Sequence, residues 1–371
     1  MSYLDEAATA PVRREVLEAM WPYLTQQFAN PASQHEPGKL AARALEDARA
    51  RVAARLGARP SEIVFTSGGT EADNAAIKGV ALAAPRGRHV LVSAVEHPAV
   101  LESAGWLKRW GFELEEIPVD REGVVSPQSL RELIRPDTTL VSIQYANNEV
   151  GTVQDIAALA EVAAEHQVPF HTDAVQAAGS LDLDVERLGV QAMSLAGHKI
   201  GTPKGIGALY LRRRVPFEPL VHGGGQQRGR RSGTENVAAA VAMAVALETN
   251  ADSASMSALS SRRDRFVAEV LSAVPTARLT GHLSRRLPGN ASFVFPGRSG
   301  ESILLDLEQR GIYCSSGSAC AAGEDEPSHV LTAMGYEPAV AQTAVRFTFG
   351  TGVSDEELAA TVDALRHAAT V

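Results

Sequence analysis

Short β-rich runs alternate with helical patterns through the first two thirds of this chain, and no other feature narrows its fold so far. "EIVFT" (62–66) precedes a helical stretch from Glu71 to about Ala84, and "HVLVS" (89–93) precedes another from Pro98 to Trp110. "TTLVSIQ" (138–144) leads into "DIAALAEVAAEH" (155–166), where Asp155 suits a helix N-cap. "VPFHTDA" (168–174), "AMSLA" (192–196) and "IGALYLR" (206–212) follow. Strands separated by helices of about a dozen residues predict an α/β fold, a mostly parallel sheet covered on both faces. Ligands bind beyond the carboxyl ends of the strands in such sheets. The polar, Gly-rich stretches of this chain fall just there.

After about residue 250 the texture changes. An Ala- and Ser-rich helix (253–273) passes through a Pro/Gly turn to "ASFVF" (291–295), a helix over 300–310 and "AVRFTFG" (344–350). A last helix opens with Ser354 and Glu357 in capping-box spacing. The 371 residues suit two packed units. The expected division is a large α/β unit over 12–250, and a smaller α+β unit made of 1–11 and 251–371.

Composition removes several function classes. Thirty-five basic and 44 acidic residues leave a net charge of −9, which gives no electrostatic reason to expect nucleic acid or an anionic membrane as partner. "MSYLDEAATAPV" lacks the basic and apolar regions of a signal peptide, and no apolar run approaches the roughly 20 residues that span a bilayer. A cytoplasmic setting is expected. The only cysteines, Cys314 and Cys320, are too few for a disulfide scaffold and lack the paired spacing of a zinc site. Cys314, beside the apolar "GIY", is expected to pack in a core. Cys320 stays open on these grounds.

Three stretches carry chemistry. "TSGGTEADN" (66–74) places Ser67, Gly68, Gly69 and Thr70 between a strand and a helix, where backbone N–H groups and a hydroxyl can hold a phosphate. It matches neither the Walker loop nor G-x-G-x-x-G. "HTDAVQ" (171–176) sets Asp173 directly after an apolar strand, where an acid must be solvated, paired or used. "LAGHKIGTPKGIG" (195–207) holds His198 and Lys199 in a Gly/Pro loop. Each alone reads as a turn, a cap or a solvated charge. Together, a phosphate cradle, a carboxylate, a histidine and a lysine at strand ends are the parts a pyridoxal 5'-phosphate site requires.

From "YLDEAATAPV" through "NPASQHEPGKLAARALEDAR", "EHPAV", "ANNEVGT" and "GGGQQRGRRSGT" to "SSGSACAAG", "EPSHVL" and "VRFTFG", the chain resembles the cysteine desulfurases of the NifS/IscS type, within the class V aminotransferase superfamily. The resemblance covers nearly the whole chain and implies a fold type I enzyme that converts L-cysteine to L-alanine. By resemblance Lys199 would carry the cofactor covalently and act as acid and base at the substrate Cα. Asp173 would pair with the ring nitrogen, Gln176 with the ring's phenolic oxygen, and His97 would stack on the ring face. Gly69, Thr70, His198 and, from the partner subunit of a homodimer, Thr234 would contact the phosphate. Asn148 and Arg346 would bind the substrate carboxylate, the latter through a bidentate fork. Cys320, on a loop at about 313–326, would accept the sulfur as a persulfide and pass it to an acceptor protein, such as an iron–sulfur scaffold. The Ser/Gly/Ala run before Cys320 suits a tethered nucleophile.

The plainer alternatives are a helix N-terminus for His97, a turn for Asn148, a surface strand for Arg346 and a solvated basic turn around Thr234. Ala196 stands where the family usually has a phosphate-binding serine, Glu6 where asparagine is usual, and "IGTPKG" departs from the usual "GPKG". A selenocysteine lyase or class V aminotransferase would use the same Lys199/Asp173 site. An inactive scaffold for iron–sulfur assembly would leave it idle.

Overall fold

A computed structural model describes residues 1–83, 86–249, 252–317 and 327–369. Its strands are β1 (Ser2–Tyr3), β2 (Ile63–Thr66), β3 (His89–Ser93), β4 (Glu113–Ile117), β5 (Thr138–Ser142), β6 (Phe170–Asp173), β7 (Ala192–Ala196), β8 (Gly207–Leu211), β9 (Arg278–Leu279), β10 (Asn290–Val294), β11 (Ile312–Tyr313) and β12 (Ala344–Thr348). Seven of them form the central sheet in the order β2-β8-β7-β6-β5-β3-β4. From β7 to β4 every neighbouring pair is parallel. The exception is β8, antiparallel to both β2 and β7. The chain turns from β7 into β8 without a crossover α-helix, and such a return pairs strands antiparallel.

The edge strand β4 carries no apolar run that would announce it in the sequence. Its "ELEEI" is charged and half exposed because it lies at the sheet edge, where Glu side chains discourage further pairing. Helices α1 (Arg14–Thr25) and α2 (Glu36–Arg55), likewise unannounced, share one core with the helix Val237–Glu248. That last helix is apolar on all sides and buried nearly throughout, as a helix enclosed by others must be. Helix α3 (Gly69–Ala83) starts two residues before Glu71. Helix α4 (Pro98–Trp106) is shorter than expected: residues Leu107–Trp110 tighten into a 3-10 turn that ends at Gly111, whose φ of 78° needs glycine.

A separate three-stranded antiparallel sheet, β12-β10-β9, packs with the helices Ser253–Ala273 and Asp355–Ala368 around a second core. Phe266, Phe293, Phe347 and Phe349 fill it, with Phe266 edge-on to Phe347 at 5.5 Å between centroids. Leu4 belongs to this core because β1 pairs in parallel with β11. The expected capping box of Ser354 and Glu357 is formed in both directions. Cys314 packs against the same core, and burial pushes its thiol up to about 12, so it is no thiolate near neutrality. No helix of the described residues is long and apolar enough to cross a membrane.

Candidate active site

Because β2 and β7 both oppose β8, the carboxyl ends of β2, β3, β5, β6 and β7 point the same way. The residues that follow them converge on one cavity of about 360 Å³. Gly69, Thr70, His97, Asn148, Asp173, Gln176, His198, Lys199 and Arg346 all line it. Thr234 does not. It is exposed and borders a surface pocket of about 220 Å³ with Tyr23, Phe28 and Asn30. Cys320 lies outside the described residues, although Gly317, three positions before it, lines the cavity.

Each side chain is set by local geometry. The N-terminus of α3 opens on the cavity with Thr70 exposed there, and Gly69 is held to glycine by its surroundings. A Cβ on it would stand 2.8 Å from Val175 Cγ2. Glu71 ties this helix start down, accepting from Ser67 N at 2.9 Å and from Arg231 Nε at 2.8 Å. Arg231 belongs to the basic turn before Thr234. Asp173 ends β6 with its Oδ1 accepting from Val175 N at 2.8 Å. Lys199 follows β7, its Nζ donating to the carbonyls of Ala7 and, at 2.8 Å, Ala8. Gln176 Nε2 also reaches the Ala7 carbonyl, at 3.0 Å.

His97 is the N-cap of α4, and Nδ1 accepts from Ala99 N at 3.1 Å. The plainer reading of a helix-terminal histidine is therefore true as well, and it fixes the tautomer. A neutral ring carries its proton on Nε2. Burial lowers His97 from the ordinary histidine value, with Asp173 pulling it up and Lys199 and His329 pushing it down. His198 is pushed down to about 4, chiefly by burial and then by Lys199 and Lys204.

Arg346 is not the surface strand residue of the plainer reading. It is 2% exposed on β12. One terminal nitrogen pairs with Asp5 at 2.6 Å, and the other donates to the carbonyl of Asn148 at 3.0 Å. Asp5 was not picked out from the sequence, and its partner is 341 positions away. Two further acids escaped notice. Asp73, on α3, lines the cavity at 1% exposure. Glu96, beside His97, is fully buried and pushed up to about 8 by that burial, though it accepts from Ser93 and from Gln144 N. Glu6 lines a neighbouring cleft of about 370 Å³ and not this cavity, and burial raises its carboxyl.

A helix N-terminus with a hydroxyl, a buried carboxylate and a lysine, on one cavity in a sheet of this topology, define a class of cofactor-dependent α/β enzyme. The aminotransferase class-V family model matches residues 2–360, and the chain belongs to that family. Within it, the chain is 46% identical to the cysteine desulfurase IscS of Dictyoglomus turgidum, over 98% of this chain and 93% of that one. It is 48% identical to the cysteine desulfurase IscS of Methanosarcina thermophila, over 96% and 89%. A solved NifS-like protein shares its fold with a TM-score of 0.92 at 36% identity, covering 99% of this chain and 98% of that chain.

Proposed function

We propose that this protein is a cysteine desulfurase that uses pyridoxal 5'-phosphate to take sulfur from L-cysteine onto Cys320, leaving L-alanine. The observation that carries the reading is the convergence of Lys199, Asp173, His97, Asn148 and Arg346 on one cavity, in a chain whose relatives bear that name.

The residues present fit the cofactor. The N-terminus of α3, Thr70 and His198 would hold the phosphate. With Ala196 in place of serine, one hydroxyl donor is missing from that set, and loss of one such bond to a charged group is worth about 1.5–3 kcal/mol. Asp173 would pair with the ring nitrogen, His97 would cover the ring face, and Gln176 would meet the phenolic oxygen. Lys199 would leave its carbonyl partners to bond the cofactor. When bound, the cofactor supplies an electron sink for the negative charge left at the substrate Cα.

Arg346 and Asn148 would orient the substrate by its carboxylate. Lys199 would then take the Cα proton and later return one. The Cys320 thiolate would attack the substrate sulfur, forming an S–S bond as the Cβ–S bond breaks with its electron pair left on carbon. A proton delivered to Cβ completes alanine. His97 would move a proton at the substrate thiol through Nε2. Three peptide units join Gly317 at the cavity wall to Cys320, a reach of at most about 11 Å.

Thr234 would act in the site of a second copy. Leu17, Trp21, Leu24 and Phe28 are 48–75% exposed on and just after α1, beside the pocket that Thr234 borders. An apolar face of this kind suits a homodimer contact. The smaller α+β unit, 1–11 with 251–371, would carry Cys320 and Arg346 to the large unit, 12–250, which holds the cofactor. A sulfur-acceptor protein, such as an iron–sulfur scaffold, would take the persulfide. The test is Cys320→Ala. It should abolish cysteine-dependent sulfide release and keep the visible absorbance of the bound cofactor, whereas a fully active variant would refute the assignment.

A further inference from the structure

Asp73 has no part in the scheme above, yet it is 1% exposed and lines the same cavity as Asp173. Its Oδ1 finds no hydrogen-bond partner among the described residues. Behind it a line of hydrogen bonds crosses three strands, all of it fully buried. Ser142 Oγ of β5 meets His171 Nδ1 at 2.8 Å, and His171 Nε2 meets Ser194 Oγ of β7 at 2.9 Å. The Ser194 hydroxyl in turn bonds the Asp73 carboxyl.

The direction of this line follows from its members. Burial pushes His171 down to about 3, so the ring is neutral and has a single N–H. With the Ser194 proton given to Asp73, His171 donates from Nε2 to Ser194, and Nδ1 accepts from Ser142. The line thus brings Asp73 one neutral donor and no cation. That is little support for a carboxylate out of reach of water.

The titratable groups around Asp73 are Asp173 and His171 on β6 and Glu96 before α4. His171 Nε2 stands 3.7 Å from Oδ1, but as a neutral ring it offers no charge. Burial raises both Asp73 and Asp173, and the charge of Asp173 makes ionisation of Asp73 harder still. His97 and Lys199 favour the charged form of Asp173, which also accepts from Val175 N. Asp73 has only the Ser194 hydroxyl and no cation among its perturbing groups.

We propose that Asp73 is a positioning residue that stays a neutral carboxylic acid with its proton on Oδ1, leaving Asp173 as the single negative charge facing the cofactor's ring nitrogen. This rests on the pyridoxal phosphate reading and deepens it. A second carboxylate beside Asp173 would spread the charge, and an apolar side chain would leave Ser194 without its acceptor.

The test is the affinity of the cofactor-free protein for pyridoxal 5'-phosphate, followed by absorbance across pH, for the wild type, Asp73→Asn and Asp73→Leu. The amide copies a neutral acid in shape and polarity, so Asp73→Asn should bind within about threefold of the wild type with the same pH profile. Asp73→Leu should bind about tenfold more weakly. A shifted pH profile for Asp73→Asn, or a tenfold loss of affinity, would mean that Asp73 is ionised and would overturn the proposal. Wild-type affinity in Asp73→Leu would overturn it too. Should Asp73→Leu fail to fold, the Asp73→Asn profile still decides. A wild type that binds no cofactor is a different result, since it would bring down the cofactor reading itself.

Discussion

The two walls of the cavity treat charge in opposite ways. On the sheet side, Asp73, Asp173 and Glu96 are buried without an arginine partner, and desolvation raises all three. On the wall that β12 contributes, the guanidinium of Arg346 is paired with Asp5 and roofed by backbone carbonyls. The first arrangement suits groups that hold or move protons, because burial brings their protonation states within reach of each other. The second suits capture of an anion, because the planar fork is already oriented. A substrate carboxylate would meet a cation whose geometry is set before it arrives.

Lys199→Ala should lower desulfurase turnover at least roughly a thousandfold, since it would remove both the proposed covalent anchor and the proposed acid–base group. Sulfide release and the cofactor's absorbance measure the two losses separately. From the other wall, Arg346→Ala should raise the KM for L-cysteine on the order of 100-fold. Steady-state kinetics with cysteine would show it, and the absorbance of the bound cofactor should stay intact. If both substitutions struck turnover and binding alike, the division of labour between the walls would fail.

A smaller effect sharpens the electrostatic half of the contrast. Glu96 binds its proton more tightly in the folded chain, with its value raised from 4.5 to about 8. The folded state then holds more protons than the unfolded one between those limits, so this group lowers stability as pH rises through that window. The slope is about 1.4 kcal/mol per pH unit where the two states differ by a full proton. Below about 4.5 the penalty is absent, and above about 8 it is complete. Glu96→Gln should flatten that part of the profile, as measured by urea unfolding at several pH values. Smallest of all, Cys314→Ala should leave sulfide release unchanged and cost less than about 1.5 kcal/mol of stability in the same assay.

Much of the sheet was legible because strands buried on both faces are written as apolar runs, such as "HVLVS" and "AMSLA". Asp173 and Lys199 drew notice as an acid and a lysine at the ends of such strands, whereas His97 was singled out by the family resemblance. Asp73 was not legible. A lone acid inside a helix reads as a solvent-facing residue, and only the packing of α3 against β6 and β7 buries it. Glu96 stood beside the conspicuous His97 and carried no separate signal. Asp5 meets Arg346 because β1, just before it, pairs with β11, a pairing no local pattern announces. The edge strand β4 hid behind its three glutamates.

Cys314 and Cys320, six residues apart, also divide along these lines, one packed and inert and the other proposed as the sulfur carrier. The most direct measurement is to incubate the purified protein with L-cysteine, quantify alanine, and weigh the Cys320 and Cys314 peptides by mass spectrometry. The expected result is alanine formed with added sulfur on the Cys320 peptide alone. Alanine formation with no sulfur on Cys320, or with the sulfur on Cys314, would contradict it.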